Sequence, residues 1–177
     1  SSNSIFEYDK LNWMNGQYIK KMEIPKLVEK IKPFLSKYDL SELSQQQLEK
    51  MVEITREPLT LLSDITDEVN YFFGGKNVDV EESVKNDVLN LEVSQKVLKD
   101  ILDNRIDLWH FDDEEKLHDE LADLRSYFKE KEGIKPKQTM WALRAAVTGK
   151  THGADLVAVL GILGHDNVKA RIKDALI

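Results

Sequence analysis

The chain contains no cysteine, which excludes disulfides and thiolate metal sites and suits a reducing compartment. It carries only four prolines and eight glycines in 177 residues, too few for a collagen-like or low-complexity chain. No strand–turn alternation is present. No apolar run approaches the roughly 18 residues that a membrane helix needs, and the N-terminus shows no basic-then-apolar signal pattern. These absences lead us to expect a soluble, cytoplasmic protein with no membrane partner. What remains is 41% hydrophobic and 32% charged, an ordinary mixture for a chain that buries a core. Its length suits one large domain or two small ones.

Net charge is −7, which argues against general nucleic-acid binding and against DNA as a partner. The average hides an asymmetry. From Gly133 to Ile177 there are seven basic residues (Lys135, Lys137, Arg144, Lys150, Lys169, Arg171, Lys173) and three acids, a local +4 on a body of −11. A positive end on an acidic body is what a specific polyanion site requires.

Helical period runs through almost every segment. Residues 10–22 place Leu11, Met14, Tyr18 and Met22 on one face, with Asp9 as candidate N-cap. Residues 25–35 begin on a first-turn proline and gather Leu27, Ile31, Phe34 and Leu35. Ser44 and Gln47 form a capping box ahead of 43–54, T-R-E-P breaks the chain at 55–58, and 59–73 restarts as helix. Gly74-Gly75 stops it, and 77–83 reads as an acidic linker. A long helix is predicted over 84–102, with Val88, Leu91, Val97, Leu98 and Ile101 inward. Further helices are predicted from Asp112-Asp113 to about Lys131 and over 137–148, 155–163 and 166–176. The fold class is therefore all-α, about nine helices, in two subdomains spanning 1–76 and 77–177. Aromatics at helical spacing, the three tryptophans included, read as core.

Catalytic patterns are missing. His110 and His118 lack a third ligand at workable spacing for zinc, no carboxylate pair stands out, and no serine or threonine sits in a nucleophile elbow. The stretch T-G-K-T (148–151) imitates the tail of a Walker loop, but Arg144 stands where the first glycine belongs. Met140, Leu143 and Val147 bring a helix into the loop, whereas a phosphate loop is entered from a strand. Gly149 then reads as a left-handed helix end.

Two stretches carry a family resemblance. Phe6, followed by K-L-N-W-M-N-G-Q-Y-I-K over 10–20, resembles the segment after the catalytic core of bacterial glutamyl-tRNA synthetases, a class I family. Gly133-Ile134-Lys135 followed by A-L-R-A-A-V-T-G-K-T-H-G-A-D-L over 142–156 is similar to that family's closing segment; Tyr71-Phe72-Phe73 and Trp109 are similarly placed. The family's HIGH-type and KMSKS-type nucleotide elements do not occur. The resemblance therefore implies the two-subdomain anticodon-binding region that follows the catalytic half, non-catalytic by itself and without a cofactor. ATP and magnesium would serve the parent ligase. A monomer binding tRNA(Glu) is the implied state.

The residue chemistry suits that role. Arg144 offers a planar fork for phosphate or a base edge, Lys150 and His152 add charge and a ring, and Gly153 and Ala154 let bases approach the main chain. The amides opening a helix at Asp155 and Leu156 can donate to bases or phosphate. The resemblance implies base contacts for Arg144 and for 153–156. In the family, members restricted to tRNA(Glu) often carry a second arginine two residues after the one matching Arg56; here that place is Pro58. Proline offers no donor to the third anticodon base, so the parent is expected to accept tRNA(Gln) as well. The competing reading is a helical interaction domain whose basic C-terminal part docks an acidic protein.

Overall fold

The computed structural model describes residues 2–177, and every regular element among them is helical. Ten α-helical segments, joined by 3₁₀ turns and two wider π-helical turns, form two compact units, one ending at Phe73 and one running from Gly74 to Ile177.

In the first unit, α1 (Ser2–Lys21) starts earlier than its sequence predicts and runs straight through Asp9, which is therefore interior and not a cap. Its C-terminal half buries Gly16 and Ile19. The Leu59 carbonyl oxygen lies 3.2 Å from where a Gly16 Cβ would stand, and the Asn15 amide donates to the Thr60 carbonyl. The N-terminal half differs: Ile5, Phe6, Tyr8, Leu11, Trp13 and Met14 are all exposed. No other described residue covers these large apolar groups.

Helix α2 (Ile24–Ile31), with Pro25 in its first turn, buries Leu27, Val28 and Ile31 against α3 (Gln45–Thr55). The expected box opens α3: the Gln47 amide donates to Ser44 Oγ at 3.1 Å and the Ser44 amide to Gln47 Oε1 at 3.0 Å. The helix predicted over 59–73 is absent; only α4 (Ile65–Glu68) forms, between 3₁₀ turns at 62–64 and 70–72. Polar side chains cause the break. Asp64 accepts from the Leu61 amide at 2.9 Å, and the Thr66 hydroxyl donates to the Phe34 carbonyl at 2.7 Å. Such bonds compete with the α-helical ladder.

In the second unit the segment predicted as one helix over 84–102 is split. Helix α5 (Glu82–Val84) passes into a π turn at 85–89, and α6 (Glu92–Asp100) into another at 101–105. The intervening turn moves Leu91 to the N-cap of α6, where it is exposed, while Val88, Val97, Leu98 and Ile101 are buried. Asp113 caps α7 (Glu114–Glu132) by accepting from the Lys116 amide at 3.1 Å, and Gly133 ends it at φ +66°. Helix α8 (Pro136–Thr148) is central, touching α6, α7 and α10 (His165–Ala175). Its buried Ala142, Ala145 and Ala146 allow that close approach. Helix α9 (Leu156–Leu163) lies between α8 and α10 in sequence.

Arg171 of α10 is only 1% exposed. Its Nε donates to the Gly75 carbonyl at 2.9 Å and its Nη1 to the Val147 carbonyl at 2.7 Å. It thereby supplies a donor to a carbonyl of the last turn of α8, which has no partner within the helix. Burial pushes its guanidinium down to about 10.

Candidate RNA-binding site

Helix α8 has an inner face of alanines and aliphatics and an outer face that carries Lys137, Trp141 and Arg144 at i, i+4 and i+7. Lys137 Nζ stands 4.6 Å from the centre of the Trp141 ring. The His152 ring meets the same indole edge-on, centroids 6.4 Å apart at 83°. A cation, an indole and an imidazole thus line up beside the loop that follows the helix. Trp141 is half-buried and was hidden in the sequence among core aromatics. The available signal was its position between two basic residues on one helical face.

The loop is tightly determined. Gly149 closes α8 at φ +75°, and its amide donates to the Ala145 carbonyl at 2.9 Å. A Cβ there would overlap the Asp79 carbonyl oxygen and stand 3.1 Å from its carbon. The Thr148 hydroxyl donates to the Arg144 carbonyl at 2.8 Å and accepts from the Lys150 amide at 3.1 Å. T-G-K-T is therefore a helix C-terminus satisfied by its own groups. Asp79 thus lies directly behind Gly149, and the loop is entered from α8 and not from the strand that a phosphate loop requires.

Arg144 Nη1 donates to the Ala154 carbonyl at 2.7 Å, tying the far end of the loop to the helix. Between these anchors His152, Gly153 and Asp155 are exposed, and Lys150, Thr151 and Ala154 are half-buried. Asp155 caps α9 by accepting from the Ala158 amide at 3.3 Å, so its carboxylate satisfies one of the amides at the start of that helix. Leu156 is 7% exposed and belongs to the core, which removes it from the residues that the sequence offers to a base. The basic excess is also redistributed. Arg171 lies in the core, and Lys169 Nζ pairs with Asp107 at 2.9 Å. Lys137, Arg144 and Lys150 remain beside the corner.

Arg56 and Pro58 belong to the other unit. Arg56 follows α3, and its Nη1 donates to the Met22 carbonyl at 2.8 Å, so its guanidinium braces the end of α1. Pro58 is exposed. His110 faces Glu120 at 3.0 Å and His118 lies 3.7 Å from Asp119. Among the described residues no three metal-capable side chains gather.

The family model described as anticodon binding domain matches residues 26–176. The glutamate–tRNA ligase of Carboxydothermus hydrogenoformans is 33% identical over 177 aligned residues, covering 96% of this chain and 35% of that protein. Glutamate–tRNA ligase 2 of Syntrophus aciditrophicus is 34% identical, covering 99% and 35% respectively. The chain thus spans about a third of the length of these relatives. Among solved structures, a glutamate tRNA ligase from Elizabethkingia meningosepticum superposes with a TM-score of 0.77 at 20% identity, over 93% of this chain and 31% of that one. The match at 26–176 takes in most of α2 and all of α3 to α10, and the chain belongs to the anticodon binding domain family.

Proposed function

We propose that the chain binds the anticodon loop of tRNA(Glu) as the non-catalytic part of a cytoplasmic glutamate–tRNA ligase. The supporting observation is the open corner at His152–Asp155, bordered by Trp141 and by the cations Lys137, Arg144 and Lys150. Unpaired bases are read by stacking and by edge hydrogen bonds, with cations on the phosphates. Trp141 and His152 supply the rings, and the half-exposed main chain of 153–155 supplies acceptors and donors. ATP and magnesium act in the remainder of the parent ligase. That remainder is the partner we assign to the uncovered apolar face of α1, a helix outside the 26–176 match. The chain on its own binds as a monomer.

With Pro58 beside Arg56, and the guanidinium of Arg56 donating to the Met22 carbonyl, the third anticodon base meets no second arginine. The parent therefore also accepts tRNA(Gln). The test is a titration at fixed salt of stem-loops carrying U-U-C and U-U-G, together with Arg144→Ala. Binding of both loops, lost in the variant while helix content persists, is the expected result. No binding to either loop refutes the RNA reading. Strong preference for U-U-C refutes only the dual acceptance.

A further inference from the structure

The second unit contains a cleft of about 500 Å³, and none of the residues that border the α8 corner lines it. The 78–80 segment forms one wall, the 85–90 turn another, and the end of α10 with residues 175–177 a third. Leu89 and Ala146, 3% and 1% exposed, make an apolar floor with Arg171 beside them. That size and that floor suit a small-molecule site. The walls are held before any ligand arrives. Gln95 ties two of them together: its Nε2 donates to the Leu89 carbonyl at 2.7 Å and to the Ala175 carbonyl at 2.9 Å, and its Oε1 accepts from the Ile177 amide at 3.0 Å. The 78–80 wall is backed by the end of α8, because the Asp79 carbonyl lies directly behind Gly149. The 85–89 turn is π-helical, a rare form that is frequent at functional sites.

The polar groups of the cleft select the ligand. Its side-chain donors are engaged. Lys85 faces Glu82 at 3.8 Å, Asn90 Nδ2 donates to Asn86 Oδ1 at 3.5 Å, and Arg171 donates to the Gly75 and Val147 carbonyls. Its carboxylates are not. Asp79 and Asp174 line different walls, both are exposed, and neither side chain has a hydrogen-bond or ion-pair partner among the described residues. Asp174 moreover stands in the last turn of α10, where the partial negative charge of the helix end disfavours an acid. A cation seated in the cleft relieves that repulsion, and an aliphatic stem matches the floor between the two acids.

We propose that this cleft binds a linear aliphatic polyamine, with its methylene chain on Leu89 and Ala146 and its ammonium groups on Asp79 and Asp174. The ammonium groups supply donors to the two carboxylates that the protein leaves unmatched. The inference goes beyond the tRNA reading and does not rest on it.

The experiment titrates the whole chain with spermidine by calorimetry at fixed ionic strength. A chain of net charge −7 attracts any cation loosely, so two double variants separate the cleft from the general field. D79N/D174N removes the free carboxylates of the cleft, and D123N/E130Q removes the same charge from exposed positions of α7. Both pairs lie at the surface, and circular dichroism checks that helix content is kept. Saturable binding of one spermidine per chain is expected, weakened about tenfold in D79N/D174N and unchanged in D123N/E130Q. Absence of saturable binding, or equal weakening by the two pairs, overturns the proposal and leaves the α8 site standing.

Discussion

Gly149→Ala tests whether the loop beside the α8 corner is built as described. Two costs add at this position. An alanine at φ +75° sits in the left-handed region, which costs about 1–2 kcal/mol. Its Cβ also overlaps the Asp79 carbonyl, so the 77–80 segment must shift; forced overpacking of that kind costs about 1–3 kcal/mol. The total expected is about 2–5 kcal/mol. Gly133→Ala separates the two terms, because Gly133 has nearly the same backbone, φ +66°, with nothing within 4 Å of its Cβ position. Only the left-handed cost, about 1–2 kcal/mol, applies there. The assay is urea unfolding followed by tryptophan fluorescence in a Trp13→Phe background, where Trp109 and Trp141, both in the second unit, report. Gly149→Ala should exceed Gly133→Ala by roughly the overpacking cost of 1–3 kcal/mol. Equal destabilisation by the two substitutions would refute the close approach of 79 to 149.

Three further outcomes follow from single contacts. Arg171→Met removes the donors to the Gly75 and Val147 carbonyls. It should cost about 2–3 kcal/mol in the same assay, since buried acceptors left unmatched cost about 1–3 kcal/mol each and the relief of a buried charge offsets part of that. Trp141→Ala should weaken stem-loop binding by about 1–3 kcal/mol, the range for one stacked base, with little change in helix content because the ring is half-buried. His165 sits between Asp166 at 2.8 Å and Asp107 at 2.7 Å, with Lys169 on Asp107 and the Phe111 ring edge-on to it. Its hydrogen bonds to Asp166 and Asp107 hold its pKa above the ordinary 6.5. The folded state therefore favours the protonated ring, and the stability it contributes is full below pH 6.5 and lost as pH rises beyond it. The two carboxylates are held below 3.8, Asp107 chiefly by Lys169 and Asp166 by His165; their contribution is lost only as pH falls under that value. The urea midpoint should drop between pH 6 and 9, and His165→Gln should flatten that drop; an unchanged profile in the variant removes the role given to His165.

What could be read in the sequence was whatever is fixed by neighbours along the chain. The Ser44–Gln47 box, Pro25 in a first turn, Gly133 and Gly149 at helix ends and helices α7 to α10 are all local patterns, and the structure carries each of them. The misplaced elements share one cause. Residues 59–73 and 84–102 have helical period, yet side chains bonding to the main chain interrupt them. Thr66 bonds to Phe34, 32 residues away, and Gln95 donates to the Leu89 carbonyl at the end of the 85–89 turn, at 2.7 Å. Periodicity measures which side of a segment is apolar and cannot register a hydrogen bond from elsewhere.

The site divides along the same line. Lys150 and His152 stand out in the sequence as a cation and a ring in a short loop, and Arg144 as a cation just before it on α8, whereas Trp141 does not, since an indole at helical spacing looks like core until its neighbours are known. Arg144 shows how the two kinds of information combine. Its bond to the Ala154 carbonyl makes it a strut, so its guanidinium is already oriented before any ligand arrives. An arginine held in that way loses less side-chain freedom on binding than a solvated one, a saving on the order of 0.5–1.5 kcal/mol per immobilised side chain. Arg144→Lys keeps the charge but cannot present the planar fork. It should therefore loosen the loop and weaken RNA together, whereas loss of a charge contact alone would leave the loop in place.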